Sequence, residues 1–231
     1  MKRFLIIIVL CFPLFFTNFV LGHVNHYKNV KYLEYEVFLN NDLIGSHKFN
    51  FSKKGDLLNV NTSGEFKVSK LGLNLMNYKT NTEEIYKNGK LIIFKSKTTQ
   101  NDKIKYVNLT LNKQENMFEI DGSSFKGKSQ TSTIIGSWWN HDIIKKNKQI
   151  SPISGRIISQ KVKFLGKEKL NLYNQKYNGL HFHFLSDDDK PLNKKKINLH
   201  VWYDTNTLLW IKMSYDKLGH WEYRLKKQLF Y

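Results

Sequence analysis

The chain has 231 residues, enough for one large domain, and carries 37 Lys and Arg against 19 Asp and Glu, a formal charge of +18. Its one cysteine, Cys11, lies in the N-terminal apolar run, which excludes an internal disulfide and leaves the rest of the chain without a thiolate nucleophile or cysteine metal ligand. The lysines are dispersed along the chain instead of clustered, so nucleic acid is not expected as a partner, while weak contact with an anionic membrane surface is compatible with the charge.

Met1-Lys2-Arg3 places two positive charges before the apolar run from Phe4 to Leu21, and Gly22 follows with a polar stretch. This is the layout of a secretory signal peptide over residues 1 to 22, cleaved after Gly22; an uncleaved N-terminal anchor is the alternative. Either way residues 23 to 231 are expected outside the cytoplasm, in the periplasm, because the positive end stays inside. Bulky Leu10 before Cys11 speaks against a lipoprotein.

From Lys31 onward the dominant period is two, the signature of strands with one buried face. Leu33, Tyr35, Val37 and Leu39 share a face, Asn40-Asn41-Asp42 is a turn, and Leu43, Gly45, His47, Phe49 and Phe51 continue in register. Further strands are predicted at Leu58 to Val68, Met76 to Tyr86 (with Met76, Tyr78, Thr80 and Thr82 on one side), Leu91 to Thr98, Ile104 to Leu111 and Met117 to Ile120, with a tight turn at Asn88-Gly89. The rhythm breaks between Gly122 and Gln149, which reads as a loop with a short helical turn. Strands return at Ile157 to Leu165, Leu170 to Tyr173, Leu180 to Leu185, Ile197 to Tyr203, Leu208 to Tyr215 and Trp221 to Lys226. Short turns and a dozen strands predict an all-β fold, a single antiparallel closed or half-closed β-barrel with one irregular crossover loop, forming one domain from 23 to 231.

Ser137-Trp138-Trp139-Asn140-His141 is the densest chemistry in the chain. Trp138, Trp139, Asn140 and His141 are the candidate ligand-binding residues, since indole combines apolar area with an N–H donor; the competing role is a plug that caps the barrel core. His181 and His183 share one side of a strand and His200 lies on the next, but Leu180, Phe182 and Phe184 mark the core side, so the imidazoles are expected to face solvent and no metal site is expected. Asp187-Asp188-Asp189 reads as a solvated turn, and Trp202, Asp204 and Trp210 as a hairpin with cross-strand aromatic pairing. No Gly-x-Ser-x-Gly, His-Glu-x-x-His or phosphate-binding glycine loop occurs, so no catalytic residue is assigned and no cofactor is expected.

Several segments in order, Tyr35 to His47, Ser137-Trp138-Trp139-Asn140, Val162 to Glu168, Val201-Trp202-Tyr203-Asp204, Trp210-Ile211-Lys212-Met213 and Tyr223-Arg224-Leu225, resemble a family of exported bacterial β-proteins known as a domain of unknown function. The resemblance implies fold and location but no catalytic residues. Where that family has one tryptophan before the asparagine this chain has two, leaving open whether Trp138 or Trp139 holds the shared position. The hairpin order is also similar, more loosely, to the half-barrels of envelope lipoprotein carriers. The expected function is binding or carriage of a hydrophobic, lipid-like ligand; a ligand-free scaffold with a protein partner is the alternative, and an envelope hydrolase a third reading.

Overall fold

The computed structural model describes residues 27, 29–70 and 73–231; the expected signal peptide, residues 1 to 22, lies outside them. Fifteen strands form one sheet. In chain order they are β1 Val30–Leu39, β2 Asp42–Lys54, β3 Leu57–Lys70, β4 Leu73–Lys87, β5 Lys90–Gln100, β6 Lys103–Asn112, β7 Met117–Gly122, β8 Phe125–Gln130, β9 Ile134–Ile135, β10 Lys148–Ile150, β11 Ile157–Leu172, β12 Gln175–Ser186, β13 Asn198–Asp204, β14 Trp210–Asp216 and β15 His220–Phe230. The spatial order runs β8 to β1 and then β15 to β9, so the first and last long strands are neighbours and two meanders extend away from them.

Neighbouring strands are antiparallel, as the alternation implies, except that β9 and β10 run parallel. Hairpin turns carry both central residues at positive φ, at Asn40-Asn41, Asn88-Gly89 and Asn101-Asp102. These turns match the right-handed twist of the flanking strands, and asparagine and glycine adopt that conformation at low cost.

Three features differ from the sequence expectation, the shortest being β9, two residues inside the expected loop that pair in parallel with β10. Strand β8 falls inside the expected loop, because Phe-Lys-Gly-Lys-Ser-Gln is an exposed, lysine-rich edge strand that buries only Ser129 and so shows no apolar alternation. The segments expected as separate strands, Ile157 to Leu165 and Leu170 to Tyr173, fall on one strand, β11, which continues through a bulge between Phe164 and Gly166 and ends at Leu172, with Tyr173 in the following turn.

The sheet is not closed by a hydrogen-bonded ladder between its ends. The crossover segment from Gly136 to Arg156 closes it by packing instead. Ser96 Oγ donates to the Pro152 carbonyl (2.5 Å) and Ser124 N to the Ser154 carbonyl (2.9 Å). A Cβ on Gly122 would stand 2.7 Å from that same Ser154 oxygen, so only glycine permits the approach. An apolar cluster of Phe94, Val107, Leu109, Phe118 and Ile120 from β5 to β7 is completed by Ile135 of β9 and Ile150 of β10. The larger core spans the rest of the interior and centres on Trp139, Trp210, Tyr35 and Tyr27; Tyr35 stacks on Trp210 at 4.0 Å and donates to its carbonyl.

Candidate functional site

The interior contains a cavity of about 150 Å³. Its origin lies in the register. Across β2 to β5, His47, Gly64, Thr80 and Thr98 align in one row, and Phe49, Thr62, Thr82 and Ser96 in the next. Both rows are dominated by small side chains on the inward face, so they leave space that the flanking rows close. Phe66 stacked on Tyr78 lies on one side, and Phe51, Val60, Glu84 and Phe94 on the other. Opposite stand Met213 and Tyr223 of β14 and β15, Trp138 and Gly136 of the crossover, and Pro152 with Ile153. A Cβ on Gly136 would meet Gln149 Oε1 at 2.0 Å, which ties the loop backbone against the crossover at the cavity wall.

Polar side chains on this wall include His47, Thr62, Thr80, Thr82, Glu84 and Ser137. Glu84 is 1% exposed. Its Oε1 accepts from Ser137 Oγ (2.9 Å) and Trp139 Nε1 (3.0 Å), and its Oε2 from the Tyr86 hydroxyl (2.5 Å). Burial raises its pKa against the opposing pull of those three donors. The His47 ring is surrounded by protein, and burial lowers its pKa to about 4, yet part of its surface stays accessible because it faces the cavity. Thr80 and Thr98 share a hydroxyl hydrogen bond of 2.8 Å, whereas the buried Thr62 hydroxyl has no partner.

Of the four residues singled out in the sequence, Trp138 lines this cavity, half-buried, with its ring edge-on to Phe184. Trp139 is fully buried in the core between Tyr27, Phe51 and Tyr86. Asn140 is buried and caps the 3-10 turn His141–Lys145 through its side-chain oxygen. His141 packs against Tyr27 and Tyr203. Asn140 also borders a second, more polar cleft of about 260 Å³, with Tyr86, Lys90, Phe118 and Lys146. Trp139 and the Glu84–Tyr86 pair stand between the two spaces.

Glu84 and Thr62 escaped the sequence reading. The signal was present for Glu84: the inward phase of Tyr78, Thr80 and Thr82 continues without a break through residues 84 and 86.

On the outer face, the expected solvent-facing imidazoles are partly covered. His181 is buried; it stacks on Trp202 at 4.1 Å and bonds to Glu168 Oε1 (2.5 Å) and His200 (2.8 Å). Among the described residues no group of three His, Cys, Asp or Glu is placed to hold a metal ion. Trp202 and Trp210 do not pair across their hairpin. A register shift beside Tyr203 sets Trp202 opposite Lys212 on the outer face, while Trp210 enters the core. Asp204 serves the turn, accepting from the Asn206 and Thr207 amides. In the acidic turn, Asp188 accepts from the Lys190 amide and Lys195, and Asp187 pairs with Lys161.

The chain superimposes on the crystal structure of a β-barrel-like protein of domain of unknown function DUF1849 from Brucella abortus with a TM-score of 0.59. The match covers 88% of this chain and 98% of that one at 12% sequence identity, a likeness of fold alone. No curated protein matches the chain. Residues 35–226 match the family described as Domain of unknown function (DUF6134), from the second half of β1 through most of β15 and including every residue that lines the inner cavity. The chain therefore belongs to the DUF6134 family of β-proteins.

Proposed function

We propose that this protein is a periplasmic binding or carrier protein whose barrel interior takes a small apolar molecule. The observation that carries the reading is the cavity itself, about 150 Å³, partly open to solvent and lined by Phe49, Tyr78, Phe94, Trp138, Met213 and Tyr223. Apolar cavities of this size accept a single aromatic ring, and a short acyl chain of similar bulk fits the same space. This narrows the expected lipid-like ligand to something much smaller than a whole lipid. The aromatic wall supplies dispersion contact and the handful of polar groups orientation, the usual division of labour in small-molecule sites. Trp138 contributes to binding by walling the cavity; Trp139, Asn140 and His141 contribute by holding the loop that presents it. The signal-type N-terminus supports the periplasmic setting, and the dispersed positive charge suits transient contact with an anionic membrane surface.

The test is gentle purification from the native envelope, organic extraction and mass spectrometry. A stoichiometric small apolar molecule that disappears when Trp138 is changed to alanine, with the fold retained, is the expected result. An empty protein that also fails to bind any single-ring probe at millimolar concentration would overturn it.

A further inference from the structure

Because successive strands are antiparallel, the connections alternate between two rims of the sheet. One rim carries the β1–β2, β3–β4, β5–β6, β7–β8 and β14–β15 connections and the segment between β12 and β13. In or beside these connections stand six aliphatic side chains, Leu43, Leu73, Leu75, Ile104, Leu192 and Leu218, each between 52% and 99% exposed. Leu218 is the extreme case. It is 99% exposed and sits in the β14–β15 turn at φ 54°, a left-handed conformation that costs leucine energy and suits asparagine or glycine. A side chain that buries nothing and strains its own backbone does not serve the fold, which points to a role outside it.

The same rim is basic. Lys67, Lys103, Lys190, Lys194, Lys196 and Lys217 are exposed and form no ion pair among the described residues. They outnumber the acids left there, Asp42, Asp102, Asp189 and the His220-bonded Asp216, since Asp187 and Asp188 are paired with Lys161 and Lys195. Aliphatic turns set among lysines complement a surface that is apolar within and negative at its face, as an anionic bilayer is. Protein interfaces centre instead on clustered aromatic anchors, and none of the six is aromatic. On the opposite rim the most exposed apolar residues are the C-terminal Leu229, Phe230 and Tyr231, and the Tyr231 hydroxyl donates to the Phe51 carbonyl.

Resting on the membrane contact proposed above, and not on the cavity, we infer that this rim is the membrane-docking face. The leucine-bearing turns, Leu218 foremost, enter the apolar boundary of an anionic bilayer while the lysines around them meet its head groups.

The experiment is co-sedimentation of the protein, purified from its native envelope, with vesicles of phosphatidylcholine and phosphatidylglycerol in equal parts and with vesicles of phosphatidylcholine alone. The wild-type protein is expected to bind the anionic vesicles and to leave them as salt rises. Leu218→Asn suits the left-handed turn, so it should keep or raise the melting temperature and yet weaken vesicle binding about tenfold. Adding Leu73→Ser and Leu75→Ser should weaken it about tenfold again, and Phe230→Ser on the opposite rim should leave it unchanged. Leucine variants that bind like wild type, or an equal loss in Phe230→Ser, would overturn the choice of rim while membrane contact stands. Equal binding to both kinds of vesicle would overturn the part given to the lysines. A wild-type protein that binds neither would overturn both the inference and the membrane contact, and leucine-dependent self-association would then give the rim to a second copy of the chain. The cavity keeps its own test throughout.

Discussion

Two glutamates in this protein receive the same kind of partners and respond in opposite directions. Glu84, inside the barrel, accepts from Trp139, Ser137 and Tyr86; Glu168, on the outer face, bonds to Trp202 (2.9 Å) and His181 (2.5 Å). Burial is the largest influence on both and pushes both pKa values up. At Glu84, 1% exposed, burial wins and the carboxyl stays above its ordinary value. At Glu168, with 45% of its side chain exposed, the donors together with the charges of His181 and Lys212 win and the value falls. At Glu84 three uncharged donors do not outweigh desolvation, whereas at Glu168, where water still reaches the group, the donors and the nearby charges do. Depth and the charge of the partners together set the sign: Glu222 is also buried, yet against desolvation the hydrogen bonds and charges of Lys212 and Arg224 hold it below its ordinary value.

The comparison sets the expected effects. The largest belongs to Trp139→Ala, which empties a fully buried site and strips a donor from Glu84; a loss of about 4–5 kcal/mol in urea unfolding is expected, against about 3 kcal/mol for Trp202→Ala, which is buried but borders His181 and Lys212. Glu84→Ala leaves the donors of Trp139, Ser137 and Tyr86 without their acceptor and should cost about 3–4 kcal/mol, whereas Glu84→Gln, which keeps an acceptor for Trp139, should cost about 1 kcal/mol. If Glu84→Ala proved as mild as Glu84→Gln, the network would not be the dry, satisfied cluster described.

His47 gives a pH test of depth. Its folded pKa lies near 4, below the unfolded value of about 6.5, so its neutral form favours the native state and that contribution is complete above about pH 6.5. It should be lost as pH falls towards 4, by about 2–3 kcal/mol after allowance for the part of the ring that meets the cavity. Thermal melts of the His47→Gln protein should show a correspondingly flatter acid limb. The two glutamates act oppositely. The depressed Glu168 contributes stability above the ordinary glutamate pKa and loses it as pH falls through its own lower value. The raised Glu84 contributes below the ordinary value and loses it as pH rises through its higher one.

The smallest expected effect is on the outer face. Glu168→Gln should change stability by less than about 1 kcal/mol, because the pair with His181 is half exposed and screened. Chemical denaturation at low and high salt would show that difference shrinking further. A loss as large as that from Glu84→Ala would mean that the two sites are equally dry, and the contrast drawn between them would fail.

The alternation of Leu33, Tyr35, Val37 and Leu39, or of Tyr78, Thr80 and Thr82, is a local property, because successive side chains of a strand point to opposite faces wherever the strand sits. For that reason the strands, the Asn-Gly and Asn-Asn turns, the antiparallel plan and the single crossover were legible residue by residue. The edge strand β8 was not, since a solvated strand buries too little to leave a pattern. The aromatic-rich loop was also visible, but its division of labour was not. Trp138 and Trp139 are adjacent in sequence and chemically identical, and only the packing of Tyr27, Phe51 and Tyr86 around one of them decides which is core and which is wall.

The cavity shows the limit most clearly. Gly64, Thr80 and Thr98 are small residues on three separate strands, as are Thr62, Thr82 and Ser96. Each is compatible with a fully packed barrel. Which face each of them shares is a local matter, because successive side chains of a strand alternate. That they fall in the same rows is not, because register between strands depends on turn lengths, bulges and the packing of the whole sheet, and a slip of two residues would preserve every strand's alternation.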